Sequence, residues 1–416
     1  MDLVLWTLTM MLALVVGLFV LLVSGVIYTV FTESVMPPGI QGPGKLRLIY
    51  GMQLALGTLG NIAQNLGLGP QVTVVRYLHA KTLRRMSTEG TGLIIRDLQF
   101  DGVPVRVYQL KSASAEKRRG ILYFHGGGWL FGSINEYDNL CRYIAKETES
   151  TVVSVEYRLA PEYRYPSQLD DCLNATLHFL KTTDDYGIDR NRVVVCGDSA
   201  GGNLVAAVCL RVTSMKETLD LPTLRAQVLI YPALQMVDFN LPSYRQNQFV
   251  PILFRTRMIF FFLQYLNGDM SIAEDVLSGH HLPVEVKSKY RRWLNPDLIP
   301  GNFQVRDHKP NLALTHVDEV YDLVKPSLEP TFAPLLASDA AISKLPPAYI
   351  LTCEFDVLRD DGLLFKKRLE DNGIPVSLYH IQDGFHGIIS FFDNGYLTFS
   401  SGKQAVDNIV SFLRDM

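Results

Sequence analysis

The chain has 416 residues, 48% of them apolar and 19% charged, with a formal net charge of −3. The apolar fraction supports a large packed core and excludes a disordered chain, and the length suits one large domain or two ordinary ones. No long basic run interrupts this near-neutral balance, so no nucleic-acid partner is expected.

No charged side chain falls between Asp2 and Glu33. The run LVLWTLTMMLALVVGLFVLLVSGVIYTVF exceeds the roughly 20 residues that a membrane helix needs and far exceeds a signal peptide's apolar core. Residues 1–32 therefore read as a retained anchor helix whose partner is the lipid bilayer, with a cleaved signal as the alternative. Lys45 and Arg47 flank its C-terminal side, which by the positive-inside rule places the body in the cytoplasm. Asn174-Ala175-Thr176 is an N-glycosylation sequon and argues for the opposite side, with Asn174 the candidate acceptor.

MPPGIQGPG breaks the anchor, and residues 33–90 then carry two short helices with apolar faces, KLRLIYGMQLALGTLGNIAQNLGLG and VTVVRYLHAKTLRRM, read as N-terminal cap helices. Residues 92–110 predict two strands joined by a turn at Asp101-Gly102. From residue 119 onward short apolar runs (GILYF, TVVSVEY, VVVCG, AQVLIY, PAYILTC, PVSLYHI) alternate with helix-length segments near 136–149, 169–185, 201–216, 360–372 and 402–415. Such alternation predicts an α/β fold, a mostly parallel sheet with helices on both faces. The rhythm breaks from about 235 to 335, which reads as a cap insertion in a catalytic domain spanning 91–416. Its segment FVPILFRTRMIFFFLQYL reads as a core or cap helix, with a lipid-facing cap wall as the sharper alternative.

Gly197-Asp198-Ser199-Ala200-Gly201 forms G-x-S-x-G between an apolar strand and a helix-forming stretch. In that context the glycines relieve a sharp strand-to-helix turn that lifts the Ser199 hydroxyl above the sheet, with a helix N-terminus behind it. A serine at its ordinary pKa needs a base. His386, in the loop QDGFHG after the last strand, is the candidate; His380 inside that strand and His178 on a helix are worse placed. Asp356, in the loop after ILTCEF, is the candidate acid that orients His386, in competition with Glu354, Asp360 and Asp361. His125, Gly126, Gly127 and Gly128 of FHGGGW follow an early strand. Together with the amide of Ala200 they make up the expected oxyanion hole, where a Cβ would crowd the substrate. His125 itself is expected to hold the loop's shape by hydrogen bonding.

HGGGW, VEYRLAPE, GDSAGG, DVLRDDG and DGFHG occur in this order. With them the chain resembles the hormone-sensitive-lipase-like branch of the α/β-hydrolases, and within it the arylacetamide deacetylase group, over nearly its whole length. The resemblance implies serine esterase chemistry without a cofactor. It also implies a single-pass type II anchor in the endoplasmic reticulum membrane with the catalytic domain in the lumen, which sides with the sequon. In the family's deacetylase a cysteine follows HGGGW and pairs with one near the catalytic acid. Leu130 stands at that position, so Cys353 lacks that partner, and a Cys353–Cys141 pair stays open.

Cys141, Cys172, Cys196, Cys209 and Cys353 include no C-x-x-C pair, and neither metal-ligand spacing nor a phosphate loop occurs, so no metal or nucleotide cofactor is expected. A membrane-anchored serine carboxylesterase or lipase cleaving an apolar ester, acylglycerol or arylamide is the leading reading. A non-catalytic interaction protein on a hydrolase scaffold is its alternative, disfavoured because such proteins usually lose a triad member or the oxyanion loop. A serine peptidase would need a substrate-gating domain that the sequence lacks.

Overall fold

The computed structural model describes residues 2–82, 92–112, 116–303 and 313–416. The chain divides into two compact units: residues 1–84 with 249–252, and residues 85–248 with 253–416.

The smaller unit is built on three helices. The uncharged run forms one helix, α1 (Asp2–Thr32), exposed over most of its length apart from the buried Val30, and long and apolar enough to cross a membrane. At 1.5 Å per residue it is about 46 Å long. Helix α2 (Pro43–Asn65) starts on a proline, which suits the first turn because it has no N–H to leave unpaired. Gly60 of α2 admits α3 (Gln71–Thr82): a Cβ there would lie 2.8 Å from Val75. The expected continuation of α3 to Met86 lies outside the described residues. Val26 and Val30 of α1 approach α2 at Gly51. On the exposed side of α2, Leu48, Met52, Leu59 and Ile62, with Leu66 just beyond its end, form an outward apolar stripe at helical spacing.

In the larger unit eight strands make one sheet in the order β1-β2-β4-β3-β5-β6-β7-β8. Strands β1 (Leu93–Phe100) and β2 (Val103–Leu110) form the expected hairpin, and β2 also runs antiparallel to β4 (Thr151–Val155). The remaining ladders, through β3 (Arg118–Phe124), β5 (Ile188–Asp198), β6 (Ala226–Ile230), β7 (Ala348–Phe355) and β8 (Val376–Phe385), are parallel. Val193, Val194, Val195 and Cys196 of β5 are wholly buried, as a central strand covered on both faces requires. Helices α4 (Asp138–Thr148), α5 (Ser167–Lys181) and α6 (Ala200–Leu219) follow β3, β4 and β5. On α5 the side chain of Asn174 is exposed while Leu169, Cys172, Leu173 and Leu180 are buried.

Between β6 and β7 the described residues carry α7 (Pro242–Gln246), α8 (Arg255–Leu266), α9 (Ala273–Ser278), α10 (Val284–Leu294), α11 (Asp318–Val324) and α12 (Asp339–Ile342). Helices α13 (Arg359–Asp371) and α14 (Ser400–Asp415) close the chain. Helix α8 turns Met258, Ile259, Phe262 and Tyr265 inward, while Phe260 and Phe261 stay half-buried.

His281, between α9 and α10, is 1% exposed, and its Nε2–H donates to the Met236 carbonyl at 3.1 Å. Burial pushes its imidazole down to about 4. An unfolded histidine protonates near about 6.5, so on acidification the unfolded chain binds the proton first. The contribution is complete above that value and is lost as pH falls, by roughly 3 kcal/mol at about pH 4. His281→Gln, which can still donate to Met236, is expected to flatten the fall in melting temperature over this acid range. An unchanged slope in calorimetry would remove His281 as its cause.

Candidate active site

Ser199 stands between the last residue of β5 and the first residue of α6, in a backbone conformation of φ 56°, ψ −117° that L-residues avoid. The neighbouring glycines make this turn possible. A Cβ on Gly201 would lie 2.0 Å from the Phe124 carbonyl oxygen, and one on Gly197 would lie 2.6 Å from that of Gly201. The Ser199 N–H donates to Ile230 at 2.8 Å, fixing the turn to β6. Its hydroxyl is left half-buried at the C-terminal end of the parallel strands.

The loop after β8 brings His386 to this hydroxyl: Nε2 lies 2.9 Å from Ser199 Oγ. On the other side of the ring Nδ1 lies 2.8 Å from Asp356 Oδ2, in the loop after β7. Asp356 is 1% exposed, and its other oxygen accepts the Leu358 N–H at 2.9 Å. The ring of Tyr231 packs 4.7 Å from that of His386. Ser199, His386 and Asp356 thus form one continuous hydrogen-bonded chain. The competing carboxylates are engaged elsewhere. Glu354 pairs with His380 and Arg359, Asp360 with Arg359, and Asp361 accepts from the Leu234 amide and Gln235.

The glycine loop follows β3, beside β5 in the sheet. Gly127 has φ 116° and Gly128 φ 64°, both in the left-handed half of the map that glycine tolerates. The crowding that excludes a Cβ differs from the expectation: it comes from the protein. At Gly127 it would lie 2.3 Å from the Phe131 carbonyl oxygen, and at Gly128 2.5 Å from the Phe261 ring. The amides of Gly127, Gly128 and Ala200 donate to no group among the described residues. Gly126 is a correction: its N–H is taken by Asp198 Oδ1 at 3.0 Å and shared with the Tyr137 hydroxyl at 3.1 Å. The His125 side chain turns into the loop base, where Nδ1–H donates to the Gly126 carbonyl at 2.8 Å and the ring stacks on Tyr157 at 4.2 Å.

Sequence reasoning missed the braces of this loop. Tyr157, the first residue of YRLAPE, donates to the His125 carbonyl at 2.7 Å, and the Ala160 N–H donates to that of Trp129 at 3.0 Å. Trp129 stacks flat on Tyr265 of α8 at 4.4 Å. The place of VEYRLAPE among the motifs that carry the family resemblance was the available signal; nothing in the sequence pointed to Tyr137.

A family model described as the alpha/beta hydrolase fold matches residues 121–282 and 304–390. The chain is 42% identical over 384 residues to arylacetamide deacetylase-like 4 of Homo sapiens, covering 92% of this chain and 93% of that protein. It is 36% identical over 389 residues to neutral cholesterol ester hydrolase 1 of Mus musculus, covering 91% and 94%. Among solved structures, a hyperthermophilic esterase from the archaeon Pyrobaculum calidifontis superposes with a TM-score of 0.62 at 26% identity, over 86% of this chain and 97% of that one. With a sheet, an elbow and a glycine loop of this kind, and relatives matched over more than nine-tenths of both chains, the chain belongs to the α/β-hydrolase family, among its arylacetamide deacetylase-like members.

Proposed function

We propose that the chain is a serine carboxylesterase acting on apolar carboxylic esters, acylglycerols or arylamides, held on a membrane by α1. The Ser199–His386–Asp356 chain, at 2.9 and 2.8 Å beside three unpaired amides, carries this reading. His386 Nε2 takes the hydroxyl proton as Ser199 Oγ attacks the carbonyl carbon. Asp356 holds the ring through Nδ1–H and stabilises the imidazolium. The oxyanion is received by the N–H groups of Gly127, Gly128 and Ala200 at the positive end of α6. His386 then gives its proton to the leaving alcohol or arylamine. Water, deprotonated by the same nitrogen, releases the acid from Ser199. The names of the relatives, an arylacetamide deacetylase-like protein and a cholesterol ester hydrolase, support apolar substrates. Fluorophosphonate labelling of the full-length chain followed by an acyl-chain-length series of esters tests the reading; absence of labelling at Ser199 defeats it.

The localisation belongs to the same reading: a single-pass type II protein of the endoplasmic reticulum membrane with Ser199 in the lumen and Asn174 glycosylated. The exposed apolar α1, the outward stripe of α2 and the exposed Asn174 support it; Lys45 and Arg47 argue against it. In sealed microsomes the catalytic domain is expected to resist protease until detergent is added and to shift on endoglycosidase treatment. Digestion without detergent, with no glycan shift, would place it in the cytoplasm and leave the triad untouched.

A further inference from the structure

Asp198 sits between Gly197 and the nucleophile, yet its carboxylate hydrogen-bonds to neither Ser199 nor His386. It is 2% exposed. Oδ1 accepts from the Tyr123 hydroxyl at 2.9 Å and from the Gly126 N–H at 3.0 Å, and Oδ2 accepts from the Tyr137 hydroxyl at 2.9 Å. Three neutral donors thus compensate this buried anion. A buried carboxylate is costly, and burial pushes its pKa up while the two phenols pull it back.

We propose that Asp198 is a positioning residue that sets the glycine loop against the nucleophile, so that the amides of Gly127, Gly128 and Ala200 converge on one oxyanion. This rests on the serine-hydrolase reading above. One side chain, bonded covalently next to Ser199, holds the loop by its first glycine, one residue before the first free amide. Contact at this point is tight: a Cβ on Gly126 would lie 2.4 Å from Asp198 Oδ2. Tyr137, just before α4, ties the far side of the loop to the same carboxylate and packs its ring, tilted by 34°, 5.6 Å from that of His125. An acceptor-only group is what the site calls for, since all three neighbours donate. An amide of the same shape would present an NH2 group to one of them. The Tyr137 oxygen already shares the Gly126 N–H, so its own proton would lose its acceptor. A loop released by a fraction of an ångström loses donors aimed at a transition state while leaving the substrate's ground-state contacts in place.

The test uses the full-length chain in detergent and an alkyl trifluoromethyl ketone. Ser199 Oγ adds to the ketone carbonyl carbon, the C=O pair moves onto oxygen, and the hydroxyl proton passes to His386, which leaves an oxyanion in the hole. Asp198→Asn is expected to lower kcat on p-nitrophenyl acetate on the order of 100-fold with KM held within about threefold. Ketone affinity should fall by the same factor as kcat/KM. Tyr137→Phe, which removes one hydroxyl and keeps the ring, should show the same pattern at about tenfold. Folded variants with wild-type kcat and ketone affinity, or a loss confined to KM, would overturn the inference. If Asp198→Asn fails to fold, Tyr137→Phe decides alone. Fluorophosphonate labelling of the wild type separates the two readings. Without labelling at Ser199 the hydrolase reading falls and takes this inference with it. With labelling but insensitive variants, only this inference falls.

Discussion

Ser199→Ala is expected to remove turnover of p-nitrophenyl esters by roughly four to six orders of magnitude while leaving expression and melting temperature near wild type. The size of the effect follows from Oγ being the only group that forms the covalent bond: His386 has no other proton to take in this geometry. The fold is spared because the hydroxyl caps nothing; the turn is held by the Ser199 N–H to Ile230 and by the glycines on either side, all of which alanine preserves. His386→Ala should give a loss of similar size, since Asp356 reaches Ser199 only through that ring. Undiminished hydrolysis by the Ser199 variant would remove it as the nucleophile.

Gly127→Val is expected to lower kcat on the order of 100-fold, the equivalent of roughly 3 kcal/mol, with KM little changed. A β-branched residue cannot adopt φ 116° without strain, and its Cβ would press 2.3 Å from the Phe131 carbonyl oxygen. Backbone meets backbone there, so no flexible side chain can yield. Relief must come from rotating the peptide that carries the Gly127 N–H, and that moves the donor off its target. A raised KM with kcat intact would make the loop a wall of the binding pocket instead of a set of donors.

How far the site could be read in advance follows from how its parts are encoded. The elbow, the acid loop and the histidine loop each occupy a few consecutive residues at a strand end, so Ser199, Asp356 and His386 stood out in order. Strand and helix positions were legible for the same reason, since the buried faces repeat within each element. What failed to show were relations between distant segments. Tyr137 reaches Asp198 across 61 residues and Tyr157 reaches His125 across 32, and no local pattern marks either pair. Hence Gly126 looked like its two neighbours in the sequence, although its amide is already used. The loop was read as leaving no room for a Cβ beside the substrate, but the atoms that exclude one, in Phe131 and Phe261, are fixed by the loop's own turn and by packing from α8.

All five cysteines are free and buried, and burial pushes every one of their thiols up, away from the reactive thiolate. The molecule is therefore a chemically silent background for thiol-directed probes. A single cysteine placed on its surface becomes the one reactive thiol without any native cysteine being replaced. Put at Leu59 on the outward stripe of α2, such a residue would carry an environment-sensitive fluorophore that reports whether that face meets water or hydrocarbon; put at Gln64, on the same helix but off the stripe, it would supply the reference.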